Sequence, residues 1–169
     1  IHYQDPESLV FKSKKEIRSY LLLEKGAKIE VETLSYSTGG GATNSASSFK
    51  KLNFDVTTLI KIGIGKAGQY VLDQLEKYKI NTKYVLRDKK IGTGLSYIIP
   101  SFEGDRTIFA YRGANAHLKK PEVPLEAIKK SGHLYITSLS GNSSKVLVPT
   151  TNYAKKNNIK VAVNPGVSQ

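Results

Sequence analysis

Three consecutive glycines, Gly39-Gly40-Gly41, constrain this chain more than any other feature. Glycine has no Cβ, so such a run frees the backbone for positive φ and lets another group approach it closely. The run sits between two patterns of different period. Upstream, Lys28-Ile29-Glu30-Val31-Glu32-Thr33-Leu34 alternates, with Ile29, Val31 and Thr33 on one side, which predicts a half-exposed strand. Downstream, residues 42–52 read as a helix. The glycines therefore stand where a strand hands over to a helix N-terminus. There the first N–H groups lack partners and the dipole is positive. Asn44, one turn into the helix, offers an amide that both donates and accepts. Taken alone, the run suits a flexible turn as well as a binding loop.

The remaining chain alternates between the two periods. Residues 56–62 are β-branched and mostly apolar, as a buried strand of a parallel sheet would be. Residues 66–78 predict a helix with Ala67, Val71, Leu72, Leu75 and Tyr78 on one stripe. Residues 82–86 read as a short strand. Residues 95–101 and 106–111 read as strands joined through Phe102-Glu103-Gly104-Asp105. Pro124 opens a helix through residue 130, ended by Gly132. Residues 133–137 and 160–163 are strands, separated by a helix over 145–157 in which Pro149 marks a start or a kink. Before the glycines, residues 8–12 fit a short strand. Ser13-Lys14-Lys15-Glu16 has capping-box spacing for a helical turn stopped at Gly26, while residues 19–23 equally fit a strand. Strands alternating with helices give an α/β fold with a mainly parallel sheet.

The chain's 169 residues suit one domain, and no run of 18 apolar residues offers a membrane span. Without cysteine there is no disulfide or thiol chemistry. Without methionine there is no initiator, which reads as a processed or truncated chain. The net charge of +12 favours anionic ligands. Yet the lysines fall in pairs such as Lys50-Lys51, Lys129-Lys130 and Lys155-Lys156, near expected helix ends, where cations complement the dipole. A solvated basic surface is the simpler reading, with no nucleic acid as partner. His2, His117 and His133 are isolated, so no metal site is expected.

A second glycine motif, Gly63-Ile64-Gly65-Lys66-Ala67-Gly68, follows a strand and opens a helix, with Asp88 twenty residues beyond Gly68. That is the setting of a dinucleotide fingerprint, so an NAD(P)-binding Rossmann domain through Gly63, Gly65 and Gly68 is a rival reading. Against it, the acidic partner should close the second strand, whereas Asp88 lies between Arg87 and Lys89 in a polar stretch that reads as a loop.

Gly40-Gly41-Ala42-Thr43-Asn44-Ser45-Ala46, followed by Asn53 and Gly63, resembles the N-terminal signature of the ribokinase-like (phosphofructokinase-B type) carbohydrate kinases. Asn53 stands where that pattern prefers Gly or Ser, and Gly65 where the family usually has Asp. Thr93-Gly94-Leu95-Ser96, Asp105-Arg106-Thr107-Ile108, Gly113-Ala114-Asn115 and Asn164-Pro165-Gly166 follow in the family's order. The resemblance implies a Rossmann-like, mainly parallel sheet flanked by helices, with a small β-sheet lid from strands around 8–36 and 95–111. It implies a cytoplasmic enzyme that uses ATP and Mg²⁺ to phosphorylate a hydroxyl of a sugar or nucleoside, and it allows a homodimer through the lid strands.

It also implies a set of substrate contacts. Gly40 and Gly41 would present backbone N–H groups and Asn44 its amide. Ser96 would approach from the lid side. Arg112, just before Gly113-Ala114-Asn115, stands near an arginine that contacts substrate in members using acidic sugars. Asn115 belongs to the same turn, and Asn164 lies at a strand end where open α/β sheets bind ligands. In ribokinase itself a lysine occupies the place of Gly41. The family's C-terminal Asp-Thr-x-Gly-Ala-Gly-Asp motif supplies the catalytic base and the anion hole. It is missing: none of Asp5, Asp55, Asp73, Asp88 and Asp105 has a glycine-rich helix start behind it. The chain is thus expected to be the N-terminal, sugar-binding part of such a kinase, with no catalytic residue of its own. A non-catalytic sugar- or nucleotide-binding module is the other reading.

Overall fold

The computed structural model describes residues 10–12, 17–101 and 104–166. In chain order the elements are β1 (Val10–Lys12), β2 (Ile17–Ser19), α1 (Gly41–Lys51), β3 (Thr57–Gly63), α2 (Lys66–Lys77), β4 (Asn81–Asp88), β5 (Leu95–Pro100), β6 (Arg106–Tyr111), α3 (Leu125–Lys129), β7 (His133–Ile136), α4 (Leu147–Lys156) and β8 (Lys160–Val163). Short 3-10 turns lie at Gly113–His117, Lys120–Glu122 and Gly141–Val146. Two compact units result, one of Ile1–Ser37 with Tyr97–Phe109, the other of Thr38–Ser96 with Ala110–Gln169.

The larger unit is α/β. β3 pairs with β4 in parallel across α2, and β7 pairs with β8 in parallel across α4. Each helix serves as the crossover that parallel pairing demands. Elsewhere β1 and β2 pair antiparallel, and β5 pairs with β6. The expected single, mainly parallel sheet is therefore corrected to small two-stranded sheets, parallel and antiparallel, flanked by helices. No ladder joins β3 to β7 among the described residues.

Side chains unite what the ladders leave apart. One cluster holds Leu118, Val123, Ile128, Val146 and Ala154, and against it pack Leu59 and Leu86 from the first pair and Leu134 and Val161 from the second. The other face of the first pair packs Ile60 and Val85 on Ala46, Leu75 and Ile80. α1 touches both pairs: it lies on β3, and its Phe49 meets the Tyr135 ring edge-on at 5.3 Å. Its buried positions are Thr43 and Ala46, small residues that let the helix come close. Asn53 and Asn158 take positive φ just past the ends of α1 and α4. The basic pairs do close the helices: Lys50, Lys51, Lys77, Lys129, Lys155 and Lys156 all lie in last turns. Pro149 sits in the first turn of α4, where its missing N–H would have had no intrahelical partner.

Two expectations fail. Residues 28–34 form no strand. Ile29, Val31 and Leu34 are all exposed, so the alternation has no face to bury and, among the described residues, no neighbouring strand to bond. The stripe of α2 is also displaced: Ala67 and Tyr78 are exposed, while Gly68 and Leu75 are buried. The Ser13-to-Glu16 capping box lies outside the described residues, but Ile17–Ser19 is a strand rather than helix. Phe102 and Glu103 of the expected hairpin turn also lie outside them. The displaced stripe gives a direct comparison. Leu75→Ala should cost about 2–5 kcal/mol and Ala67→Ser within about 0.5 kcal/mol, read from urea unfolding midpoints.

Candidate functional site

Glycines shape the places where the candidate residues lie: Gly40, Gly41, Asn44 and Asn164 near the carboxyl ends of β7 and β8, Ser96 in β5, and Arg112 and Asn115 just after β6. Gly40, the N-cap of α1, has φ 97°, a conformation in which a side chain would be strained. Gly41 has an ordinary φ, and its reason is contact. A Cβ there would lie 2.7–3.1 Å from the side chain of Thr137, the residue after β7. The helix start is thereby held against the end of β7, and the N–H of Asn164 bonds the Ile136 carbonyl at 2.8 Å. Among the described residues no side chain caps the first N–H groups of α1. Its hydroxyls point the other way: Thr43 donates to the Gly39 carbonyl at 2.6 Å and Ser45 to Gly41 at 2.7 Å. Among the described residues the exposed Asn44 amide has no partner, so it does not bond its own backbone.

The second group is built on interlocked loops. Gly63 N–H donates to Thr93 Oγ1 at 2.9 Å, and Ala114 N–H to the Gly92 carbonyl at 2.8 Å. Gly94 packs on the Arg112 carbonyl and on the Asn115 amide, where a Cβ would come within 2.7 Å of both. Gly113, at φ 51°, lies against Gly92 and Thr93. Ser96, Arg112 and Asn115 stand exposed around this interlock. Below it Ser143, fully buried, accepts from Leu118 N–H at 2.8 Å and donates to the Asn115 carbonyl at 2.7 Å. The candidates thus fall into two groups: Gly40, Gly41, Asn44 and Asn164 around the ends of α1, β7 and β8, and Ser96, Arg112 and Asn115 around residues 92–94.

The dinucleotide fingerprint changes meaning here. Asp88 is the last residue of β4, so the expectation that it lies in a loop is corrected. It does close the second strand, but its carboxylate is engaged. Oδ1 accepts the N–H groups of Lys90 and Ile91 at 2.9 and 3.0 Å, and Oδ2 lies 3.5 Å from Lys61 Nζ. The space over the glycines is also filled from within. A Cβ on Gly63 would meet Ile91, Gly92 and Thr93, and one on Gly68 would collide with the Gly63 carbonyl and Thr93 Oγ1. Only Gly65, with φ −73° and nothing within 4 Å, lacks such a constraint. The glycines serve chain-to-chain packing rather than approach by a pyrophosphate. Gly65→Ala should therefore be nearly neutral and Gly68→Ala should lose more than about 2 kcal/mol, both by chemical denaturation.

Lys61 is the residue that the sequence reading missed. It sits within β3 and is 8% exposed. Its Nζ donates to Glu122 Oε1 at 2.6 Å and to the His117 carbonyl at 3.1 Å. Glu122 Oε2 in turn accepts Lys119 N–H at 2.7 Å. A lone lysine inside a β-branched strand was the available signal. The Asp88 carboxyl is held below its ordinary pKa, first by the N–H groups of Lys90 and Ile91, then by the Lys61 charge. For Glu122, burial pushes upward, but the hydrogen bonds from Lys61 and Lys119 and their charges together prevail, and the net shift is downward. Both folded-state values lie below the unfolded ones. Their contribution to stability is therefore complete above the ordinary carboxylate range and is lost as pH falls through the lowered values. Thermal melts from about pH 6 to pH 3 should show this acid loss, and Glu122→Gln should make it shallower.

Comparison with known proteins gives this architecture its relatives. The model of the pfkB family carbohydrate kinases matches residues 9–168. A ribokinase of Staphylococcus aureus is 29% identical over 101 residues, covering 59% of this chain and 33% of its own. A 2-dehydro-3-deoxygluconokinase of Bacillus subtilis is 29% identical over 119 residues, covering 69% and 37%. The ribokinase structure from Giardia lamblia superposes with a TM-score of 0.75 at 20% identity, over 88% of this chain and 50% of that one. The chain spans between a third and a half of the length of these relatives. With the match running through nearly all of its residues, this chain belongs to the pfkB family of carbohydrate kinases.

Proposed function

We propose that the protein containing this chain is an ATP-dependent sugar kinase, and that the chain supplies its sugar-binding part. The observation that carries this is the start of α1, in a chain that matches the kinase family: a Gly40 at positive φ and, among the described residues, uncapped N–H groups and an Asn44 amide without a partner. Backbone N–H groups and an amide together suit the donors and acceptors of a sugar hydroxyl. In the reaction, a sugar hydroxyl oxygen bonds to the γ-phosphorus of ATP as the bond to the bridging oxygen breaks. ADP leaves and the hydroxyl proton passes to a base. The residues of this chain hold and orient the sugar for that step. Gly40, Gly41, Asn44 and Asn164 form one side, and Ser96, Arg112 and Asn115 the other.

ATP with Mg²⁺ would supply the phosphoryl group. Among the described residues no cluster of His, Asp and Glu side chains offers a metal seat. The proposal assigns the nucleotide, its metal and the base to the part of the relatives' length that this chain does not span. In that longer protein the two parallel pairs would belong to one mainly parallel sheet. The unit of Ile1–Ser37 and Tyr97–Phe109 exposes Leu22, Leu23, Val31, Leu34, Ile98 and Phe109, apolar side chains that a role as sugar lid and homodimer contact would use. The kinase reading carries with it a cytoplasmic location; among the described residues no helix is long and apolar enough to cross a membrane. Arg112 and the B. subtilis relative, named for an acidic sugar, favour a substrate with a carboxylate.

A phosphorylation screen of the whole gene product against neutral and acidic sugars, ribose and 2-dehydro-3-deoxygluconate among them, tests the proposal. ATP-dependent turnover of one sugar is expected. Asn44→Ala should raise its KM by about three- to tenfold through loss of one neutral hydrogen bond. Sugar binding without turnover of any sugar would favour the non-catalytic module instead.

A further inference from the structure

We infer that Lys61 is a positioning residue for the sugar site, acting on its Arg112 and Asn115 side and not on its α1 side. The inference rests on the kinase reading above and deepens it. Lys61 lies inside β3 with its side chain 7% exposed, and its ammonium is taken up by Glu122, the His117 carbonyl and Asp88. What it touches are the loops on either side of the candidate residues. Through the His117 carbonyl and Glu122 it holds the segment that follows Asn115. Through Asp88 it holds the turn that leads into Gly92, Thr93 and Gly94. Those two segments interlock through Ala114 N–H on the Gly92 carbonyl and through the packing of Gly94 on the Asn115 amide. One ammonium thus fixes both jaws of the interlock that presents Ser96, Arg112 and Asn115.

The start of α1 is held differently, by the contact of Gly41 with Thr137 and by bonds within its own first turn. No charge enters that arrangement. Loosening Lys61 should therefore disturb one side of the site and spare the other. A purely structural role for the ion cluster, felt through overall stability, would make no such distinction.

The test is a pair of double-mutant cycles on the whole gene product, using the sugar it phosphorylates best. Lys61→Met keeps most of the apolar stem and removes the charge. It is expected to raise KM for the sugar about tenfold with kcat within about twofold. Combined with Arg112→Ala, the effect should be clearly less than additive, because the guanidinium is already misplaced. Combined with Asn44→Ala, it should be additive. Should Lys61→Met not fold, Glu122→Ala, at a partly exposed partner, removes one anchor and should show the same pattern with a smaller rise, about threefold. Additivity with both partners, or loss of kcat without change in KM, would overturn the inference while leaving the kinase reading intact. If the wild-type protein turns over no sugar, the kinase reading itself fails and this inference falls with it.

Discussion

An ammonium group inside a parallel strand imposes a condition on everything around it. Taking a lysine charge out of water costs several kcal/mol unless acceptors surround it. Among the described residues no acceptor within β3 reaches the Lys61 ammonium. They must come from outside the strand, and here three acceptors come from two stretches distant from Lys61 in sequence: Asp88 from one, the His117 carbonyl and Glu122 from the other. β4 has to end where Asp88 reaches Lys61. The chain after Gly113 has to turn back over β3 and present a carbonyl, then a carboxylate. The course of the loops at the carboxyl end of this pair follows from satisfying one charge. Apolar packing does not dictate it, since Leu118 and Val123 would be content with many arrangements over Leu59 and Leu86.

What could be read from the sequence divides along the same line. Period and punctuation located α1, β3, α2, β7 and β8 to within a residue or two, because each buries a face whose spacing shows in the letters. Asn53, which stands where the family pattern prefers Gly or Ser, takes positive φ, a conformation its short polar side chain tolerates. The failures needed knowledge of neighbours. The 28–34 stretch alternates convincingly, but alternation states only that a strand could form if a partner and a core were present, and among the described residues neither is there. Ala67 and Tyr78 sit at helical spacing from Val71 and Leu75, yet the helix turns Gly68 inward because Gly63 and Thr93 need the room. Asp88 carried the wrong local signal altogether. Flanked by Arg87 and Lys89 it resembles a loop, and only the buried lysine on the next strand explains why an acidic residue should finish β4.

The same pattern of glycines can serve opposite ends. In a dinucleotide fingerprint the missing Cβ atoms leave room for a pyrophosphate. In this chain the room above Gly63 and Gly68 is taken by residues 91–93, and Thr93 Oγ1 accepts the Gly63 N–H that a phosphate might otherwise claim. The motif, its strand, its helix and even its terminal acid are all present, and still the geometry is that of a brace. Spacing alone cannot separate the two cases, because both demand close backbone approach; the occupant of the space decides. The glycines before α1 are the converse. Gly40 has only the Thr43 hydroxyl near, at 3.7 Å, and Gly39 has nothing within 4 Å, so the backbone there is left open at a helix start with its donors unspent. One glycine cluster is closed by the chain and holds the loops in place. The other stays open among the described residues, and it is the opening that the proposed sugar site would use.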